Sequence, residues 1–438
     1  MRRLLLCALA GVIGCGQDDG SPDSMAEGST GGGSTTATTS GSGSSAGSTT
    51  TSGADESTTG TSQGEESSDG SGDSSSGGDV TCFGEPAPPD RERFIVLSKP
   101  YDAAGQQAAT YQVFSLSEAG EIAPTDFTFD MGRSFVGRIE FTLDGQVGFV
   151  PQDDGTVGVF RLADDGAPEV LAAAFTGDFY AGRIAVSPEG RVFAIDQNTA
   201  ENGGGVVELS VDCDGNVGSL GAVLSGDRIA DLAWTPDALA LVAARGLQGK
   251  AGSDSAFVVD VLGDGQVLDA VDAFGDQESI VSAVTLAAGG RVGLIADNSA
   301  FSKIPNRIAV VTLDGQQLDA VQTLGDLDDP YELVASPFDD TAIMVSGFGN
   351  AVFVLDVDPD ATEPLSIRGE LSYVGAPPQL PANAVLLERG SLEGLVLLSE
   401  NTGIRSIWFE GSGAVVDHGL YDLGDGLDNI VGAIGVQP

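Results

Sequence analysis

From about residue 92 to the end, the chain alternates short apolar runs with short polar turns. Apolar stretches of five to nine residues, rich in Val, Ile, Leu, Phe and Ala, are separated by Asp-Gly or Gly-Asp clusters. In the segment around residue 150 this pattern predicts strands at 137–142, 146–151, 156–162 and 168–175. They are joined by Leu143-Asp144-Gly145, Gln152 to Gly155 and Asp164-Asp165-Gly166, turn chemistry suited to β-hairpins. No segment sustains a 3.6-residue apolar period between helix caps, so helices are expected to be scarce.

The pattern repeats. Glycines stand at Gly132, Gly177, Gly226, Gly275, Gly325, Gly375 and Gly424, at steps of 45, 49, 49, 50, 50 and 49, and five of them precede an Asp: Asp178, Asp227, Asp276, Asp326 and Asp425. A second series runs through Gly120, Gly166, Gly215, Gly265 and Gly315, weakens to Asp360 and returns at Gly413. The first strand of each unit is small and apolar, as in Ile184-Ala185-Val186 and Leu333-Val334-Ala335, which suits a strand buried near an axis. Four antiparallel strands per unit at this period are the signature of a β-propeller. The first unit supplies only three strands (94–97, 110–116, 122–129), and a lone strand at 429–436 completes it. The expected fold is therefore all-β, a seven-bladed β-propeller of four-stranded antiparallel blades closed by the C-terminal strand. It resembles propellers of the lactonase-like and WD40-like type over residues 92 to 437, a resemblance carried by periodicity and by no catalytic motif.

The first 81 residues are different in kind. Arg2 and Arg3 precede an apolar run from Leu4 to Ile13, too short to span a bilayer and of signal-peptide length. It ends in Val12-Ile13-Gly14-Cys15, which resembles the bacterial lipobox. That resemblance implies cleavage after residue 14, acylation of Cys15 and an exported, lipid-anchored protein. Gly16, standing where an Asp would favour inner-membrane retention, points to the outer membrane or cell surface. Residues 15–81 read as a Gly/Ser/Thr/acidic tether unable to bury apolar surface, with a reach of roughly 45 Å. The expected division is signal peptide 1–14, tether 15–81 and propeller 82–438.

Composition narrows the partners. The chain carries 65 acidic and 19 basic residues, a formal charge of −46, with lysines only at Lys99, Lys250 and Lys303. Such a surface repels nucleic-acid phosphates and anionic headgroups. Membrane contact is thus expected through the lipid alone, leaving a protein or glycan ligand as the open partner.

Candidate chemistry is sparse. Strand direction puts two loop sets on one face: those from outer strand to next inner strand, and those from second to third strand. The second set includes the long segments 196–205, 244–255 and 297–306, making this the expected binding face. Near the starts of the inner strands, Arg138, Arg183, Asp231, Glu332 and Asn383 come from five blades and should project toward the channel mouth. Their oxygens suit Ca²⁺ or a small ligand, and mixed with arginines they equally suit an ion-pair network pinning blades together. No other cofactor is indicated. The only histidine, His418, falls on an outer strand, which tells against His-based triads and His-rich metal sites. Asp356, Asp358 and Asp360 alternate as in an EF-hand but lack its Gly and its terminal Glu, so a solvated turn is expected. Trp234 and Trp408 read as core. With Cys7 in the signal and Cys15 acylated, Cys82 and Cys213 are candidates for a disulfide. The leading expectation is a non-catalytic binding module. The alternative is a lactonase-like or Ca²⁺-dependent hydrolase working at the channel mouth.

Overall fold

The computed structural model describes residues 86–438 apart from 89, 103, 136, 199–202, 213, 227, 246–254, 276–277, 299–304 and 425–431. Cys15, Cys82 and Cys213, with the lipid attachment and the disulfide expected of them, lie outside the described residues. Among the described residues, 28 strands form seven four-stranded sheets, each antiparallel throughout. Two short 3₁₀ turns, Ala288–Gly290 and Gly390–Leu392, accompany them.

Six blades take their strands consecutively from the chain, blade 2 beginning at Glu140–Phe141 and blade 7 ending at Ala414–Asp422. Blade 1 is composite. Its three outer strands are Arg93–Tyr101, Gln107–Leu116 and Ile122–Asp130, and its innermost is Ile434–Val436. The register Ile95↔Val436, Val96↔Gly435, Leu97↔Ile434 closes the ring, and ring closure leaves no open stack edge. The closing strand also accepts a 2.8 Å hydrogen bond at Ile434 O from Ile139 N of blade 2.

The ring explains the apolar pattern. Second strands such as Val192–Asp196, Val292–Asp297 and Leu395–Glu400 are buried along their whole length, because a blade covers each face. Outer strands such as Gln317–Gly325 are largely exposed. Seven apolar clusters lie one between each pair of adjacent blades among the described residues. The core is thus divided around the ring, which lets a domain of this size avoid one oversized centre. The second glycine series is the left-handed residue of the hairpin between third and fourth strands. Gly120, Gly166, Gly215, Gly265, Gly315 and Gly413 all have φ between 61° and 83°.

Two predicted strands are shorter than expected: the closing strand, expected at 429–436, is Ile434–Val436 among the described residues, and the first strand of blade 2 is cut further. Residues 137–142 reduce to Glu140–Phe141, because Gly137 takes φ 112° and Arg138 makes an isolated parallel bridge to Ile434. The closing strand occupies the space that a longer ladder would need.

Candidate functional site at the channel mouth

Innermost strands begin at the face carrying the second-to-third-strand loops. In four blades that beginning is bulged, with register breaks at Ala181/Arg183, Ile229/Asp231, Val281/Ala283 and Pro330/Glu332. A bulge places an extra residue opposite one partner and re-aims the side chains beside it. The residues after the bulges, Arg183, Asp231, Ala283 and Glu332, pair with Ile195, Ala243, Ala296 and Val345, which occupy one equivalent ladder position.

Arg183 is the hub. Its Nη1 lies 3.5 Å from Asp231 Oδ2 and 3.6 Å from Glu332 Oε2, and its Nη2 donates to Ser282 O. The guanidinium of blade 3 therefore spans blades 4, 5 and 6. The small Ala283 stands in blade 5 where its neighbours carry long side chains. Asp231 is further fixed by Leu232 N at 2.9 Å and by Val284 N of the next blade at 3.0 Å. Glu332 accepts from its own strand at Leu333 N, 3.3 Å away. All three side chains are enclosed, at 11%, 4% and 1% exposure.

Asn383 is turned elsewhere. Its Oδ1 accepts from Gly137 N at 2.6 Å and its Nδ2 donates to Gly432 O at 3.0 Å, tying blade 7 to the closing strand and blade 2. Both of its polar atoms are occupied. Arg138 stays in the lumen at 29% exposure, 3.9 Å from Glu140, itself 30% exposed. The five predicted residues therefore divide into three roles: an Arg183–Asp231–Glu332 triad, an inter-blade clamp at Asn383, and a lumen-facing Arg138. A Ca²⁺ ion shared by Asp231 and Glu332 would have to take the place of the Arg183 guanidinium. Among the described residues, no group of three or more His, Cys, Asp or Glu side chains is disposed to hold a metal ion.

Burial sets the protonation landscape. It pushes the Glu332 carboxyl up, opposed by Arg183 and Arg138 and reinforced by Asp231. Glu140 is raised by burial, with Arg138 opposing and Glu388 and Asp231 adding. Glu388 is raised the same way against the pull of Arg138 and Arg389. For Arg138, burial would lower the pKa, but Glu332, Asp231, Glu140 and Glu388 together outweigh it and the net shift is upward. Next to the triad in the chain, Tyr331, which precedes Glu332, joins Phe135 and Ala382 in a buried apolar patch, with Tyr101 and Phe348 against it. Tyr101 meets Phe135 edge-on at 5.9 Å between ring centres.

Sequence reasoning missed a second constellation, at the rim of the same face. Asp196 takes the Tyr180 amide at 2.9 Å, Asp297 the Ile280 amide at 2.7 Å, and Glu400 the Gln379 amide at 2.7 Å. Each acid ends a second strand and holds the lead-in to its blade's first strand. In blades 5 and 7 a buried arginine backs it: Arg307 Nε lies 2.7 Å from Asp297, and Arg405 Nε lies 3.0 Å from Glu400. The signal was present as acids near the 50-residue period, but no turn motif marks them.

Other predicted features fall in place individually. His418 is exposed on the outer strand of blade 7 beside Trp408, and borders a cavity of about 380 Å³ floored by Glu400 and Arg405. Trp234 packs on Phe193, 5.7 Å between ring centres. Asp356 pairs with Arg368 and Asp360 lies 3.2 Å from Arg291, so the acidic alternation joins surface ion pairs. The repeated Gly-Asp acids that are described, Asp178 and Asp326, are exposed and make neither a hydrogen bond nor an ion pair among the described residues.

No protein family and no curated protein matches the sequence. Solved structures do match the fold. A candidate 6-phosphogluconolactonase from Bacteroides fragilis superposes with TM-score 0.55 at 12% identity, covering 80% of this chain and 99% of its own. The periplasmic gluconolactonase of Pseudomonas aeruginosa gives 0.51 at 17% identity, covering 67% and 85%. A hypothetical selenium-binding protein from Sulfolobus tokodaii gives 0.60 at 8% identity, covering 81% and 96%. The class is thereby stated: a seven-bladed β-propeller whose structural neighbours include proteins of the lactonase type. At these identities the likeness is one of fold, and folds of this kind host unrelated functions.

Proposed function

We propose that this protein is an exported propeller, anchored by lipid on Cys15, that binds a protein or glycan through its loop-bearing face and performs no chemistry of its own. One observation carries the reading. Three of the ionisable groups at the channel mouth are engaged with each other, Arg183 with Asp231 and Glu332, and all three are enclosed. Buried networks of this kind hold elements in register, and the loop-bearing rim is left as the variable surface. The anchor rests on the signal-like run ending at Cys15. Labelled palmitate should enter the wild-type chain and not Cys15→Ser.

Photo-cross-linkers in intact cells test the binding face. Placed at Asn198 or Asp326 on the loop-bearing face, they should capture a cell-envelope protein or glycan. Placed at Glu189 or Asp237, in turns of the opposite face, they should not. Equal capture from both faces, or none from Asn198 and Asp326, sinks the proposal.

A second reading is favoured by Arg138 and Glu140, which keep access to the lumen and sit together. In a lactonase-like hydrolase, the Glu140 carboxylate would take a proton from water as its oxygen adds to the lactone carbonyl. Arg138 would face the developing oxyanion. The ring C–O bond would then break, and the alkoxide would recover the proton from Glu140. Purified protein that opens δ-gluconolactone no faster than buffer rejects this reading. Turnover that falls by about 10²-fold or more in Glu140→Gln would replace the first reading with it.

A further inference from the structure

The rim constellation is absent from blades 2, 4 and 6, whose second strands end in Pro151, Ala244 and Ser346, and blade 4 differs from the other two in carrying arginines there. In blades 3, 5 and 7 the second strand ends in an acid, and the next residue donates its amide to the carbonyl of the residue the acid also holds. The pairs are Gln197 to Tyr180 at 2.9 Å, Asn298 to Ile280 at 2.9 Å and Asn401 to Gln379 at 2.7 Å. Blade 4 repeats the backbone bond, Arg245 N to Arg228 O at 3.1 Å. The acid is gone, however: Ala244 ends the strand, and arginines occupy the two positions joined by that backbone bond.

Neither arginine is compensated among the described residues. There, Arg228 and Arg245 make no ion pair, and no side-chain hydrogen bond is found for either. Arg245 Nε is enclosed without a described partner, in a chain with 65 acidic residues. Arg245 is itself part-buried, and an enclosed donor atom of a charged group left without a partner is costly and calls for an explanation. Burial pushes the Arg245 pKa down and the charge of Arg228 pushes it further in the same direction. The Arg245 cation is therefore disfavoured where it stands, and a negative group beside it would relieve it.

We propose that Arg228 and Arg245 form an oxyanion-binding subsite on the loop-bearing face, taking a phosphate or carboxylate group of a small ligand or of a larger partner. Guanidinium pairs match the planar acceptor geometry of these groups. The site supplies positive charge at one place on a chain whose formal charge is −46, so it selects anions locally against a repulsive background. It deepens the binding reading and rests on it only for location, since both residues flank loops of that face.

The test uses the full chain, titrated with inorganic phosphate in one arm and acetate in the other. Ionic strength is held constant with sodium chloride, and binding is read by calorimetry and by thermal midpoint. Saturable binding in either arm is expected, weakened at least tenfold in Arg228→Gln and in Arg245→Gln. Arg368→Gln, which alters a surface pair on the outer part of blade 6, should bind like wild type. In ligand-free buffer Arg245→Gln should melt at or above the wild-type midpoint, because an uncompensated charge has been removed. Absence of saturation in both arms, equal binding by the variants, or a lower ligand-free midpoint in Arg245→Gln overturns the subsite. If anions fail to bind while cross-linkers at Asn198 still capture a partner, the subsite is wrong and the binding face stands. If Arg228→Lys restores binding lost in Arg228→Gln, a folding defect is ruled out as the cause.

Discussion

Arg183 shows how much one side chain is asked to do. It bridges three blades, and among the described residues Asp231 and Glu332 form ion pairs with no other cation. Removing a partner from a buried charge network typically costs about 3–5 kcal/mol. Arg183→Met should therefore lose about that much stability in urea denaturation. Adding Glu332→Gln to that variant should recover part of the loss, since it removes one stranded carboxylate. A single variant as stable as wild type would show that the contacts are incidental. The sequence brought Arg183, Asp231 and Glu332 under suspicion by their places near strand starts. It could not tell them from Asn383, whose amide turns to Gly137 and Gly432. Side-chain direction there is decided by bulges, and nothing local marks a bulge in Gly182, Ala230, Ser282 or Tyr331. Arg228 and Arg245 escaped notice for a related reason: their meaning lies in the acid that blade 4 lacks at Ala244, which is visible only once the blades are superposed.

At the scale of elements, the closing strand is the sensitive point. A Cβ added to Gly435 would lie 2.3 Å from Ile139 O, and one on Gly432 would lie 2.5 Å from Ser134 O. Both obstacles are backbone, so relief requires the strand to move away from blade 2. Gly435→Val should weaken ring closure and lower the midpoint by several degrees. It should also speed amide exchange at Ile139, Val96 and Leu97, with little change at Leu294 in blade 5. Uniform exchange across all blades would argue that closure is not a separate unit of stability. The three N-terminal strands and the lone C-terminal strand were legible from the count of apolar runs. The shortening of the first strand of blade 2 was not, because it follows from the Arg138–Ile434 bridge between distant parts of the chain.

For the molecule as a whole, charge sets the response to pH and salt. Burial raises Glu332, Glu140, Glu388 and Glu400 in the folded protein. A raised carboxyl binds its proton more tightly folded than unfolded, so its contribution is present at low pH and is lost as pH climbs through the folded value. Lowering the pH from 7.5 to about 5 should thus raise the thermal midpoint, and self-repulsion from the charge of −46 acts in the same direction. Asp339, lowered in the fold although burial opposes it, with the Gly413 amide and neighbouring hydroxyls holding its charge, works the other way and is lost on further acidification. Added sodium chloride at pH 7.5 should also raise the midpoint by screening. A midpoint that falls steadily from pH 7.5 to 5 would contradict the account.

Periodic glycines, Asp-Gly turns and runs of alternating or continuous apolar residues by themselves determined the repeat, the four strands per unit and the number of blades. Each of these depends on local backbone preference or on counting. What only the tertiary structure decided is which side chains meet across the axis. Arg183 reaches Glu332 of blade 6, at 3.6 Å, because the ring folds distant stretches of chain onto one axis and bulges aim their side chains inward. Within blade 4, the pairing of the first and second strands brings Arg228 and Arg245 together with no acid at the end of the second strand, a difference between blades that no stretch of sequence shows by itself.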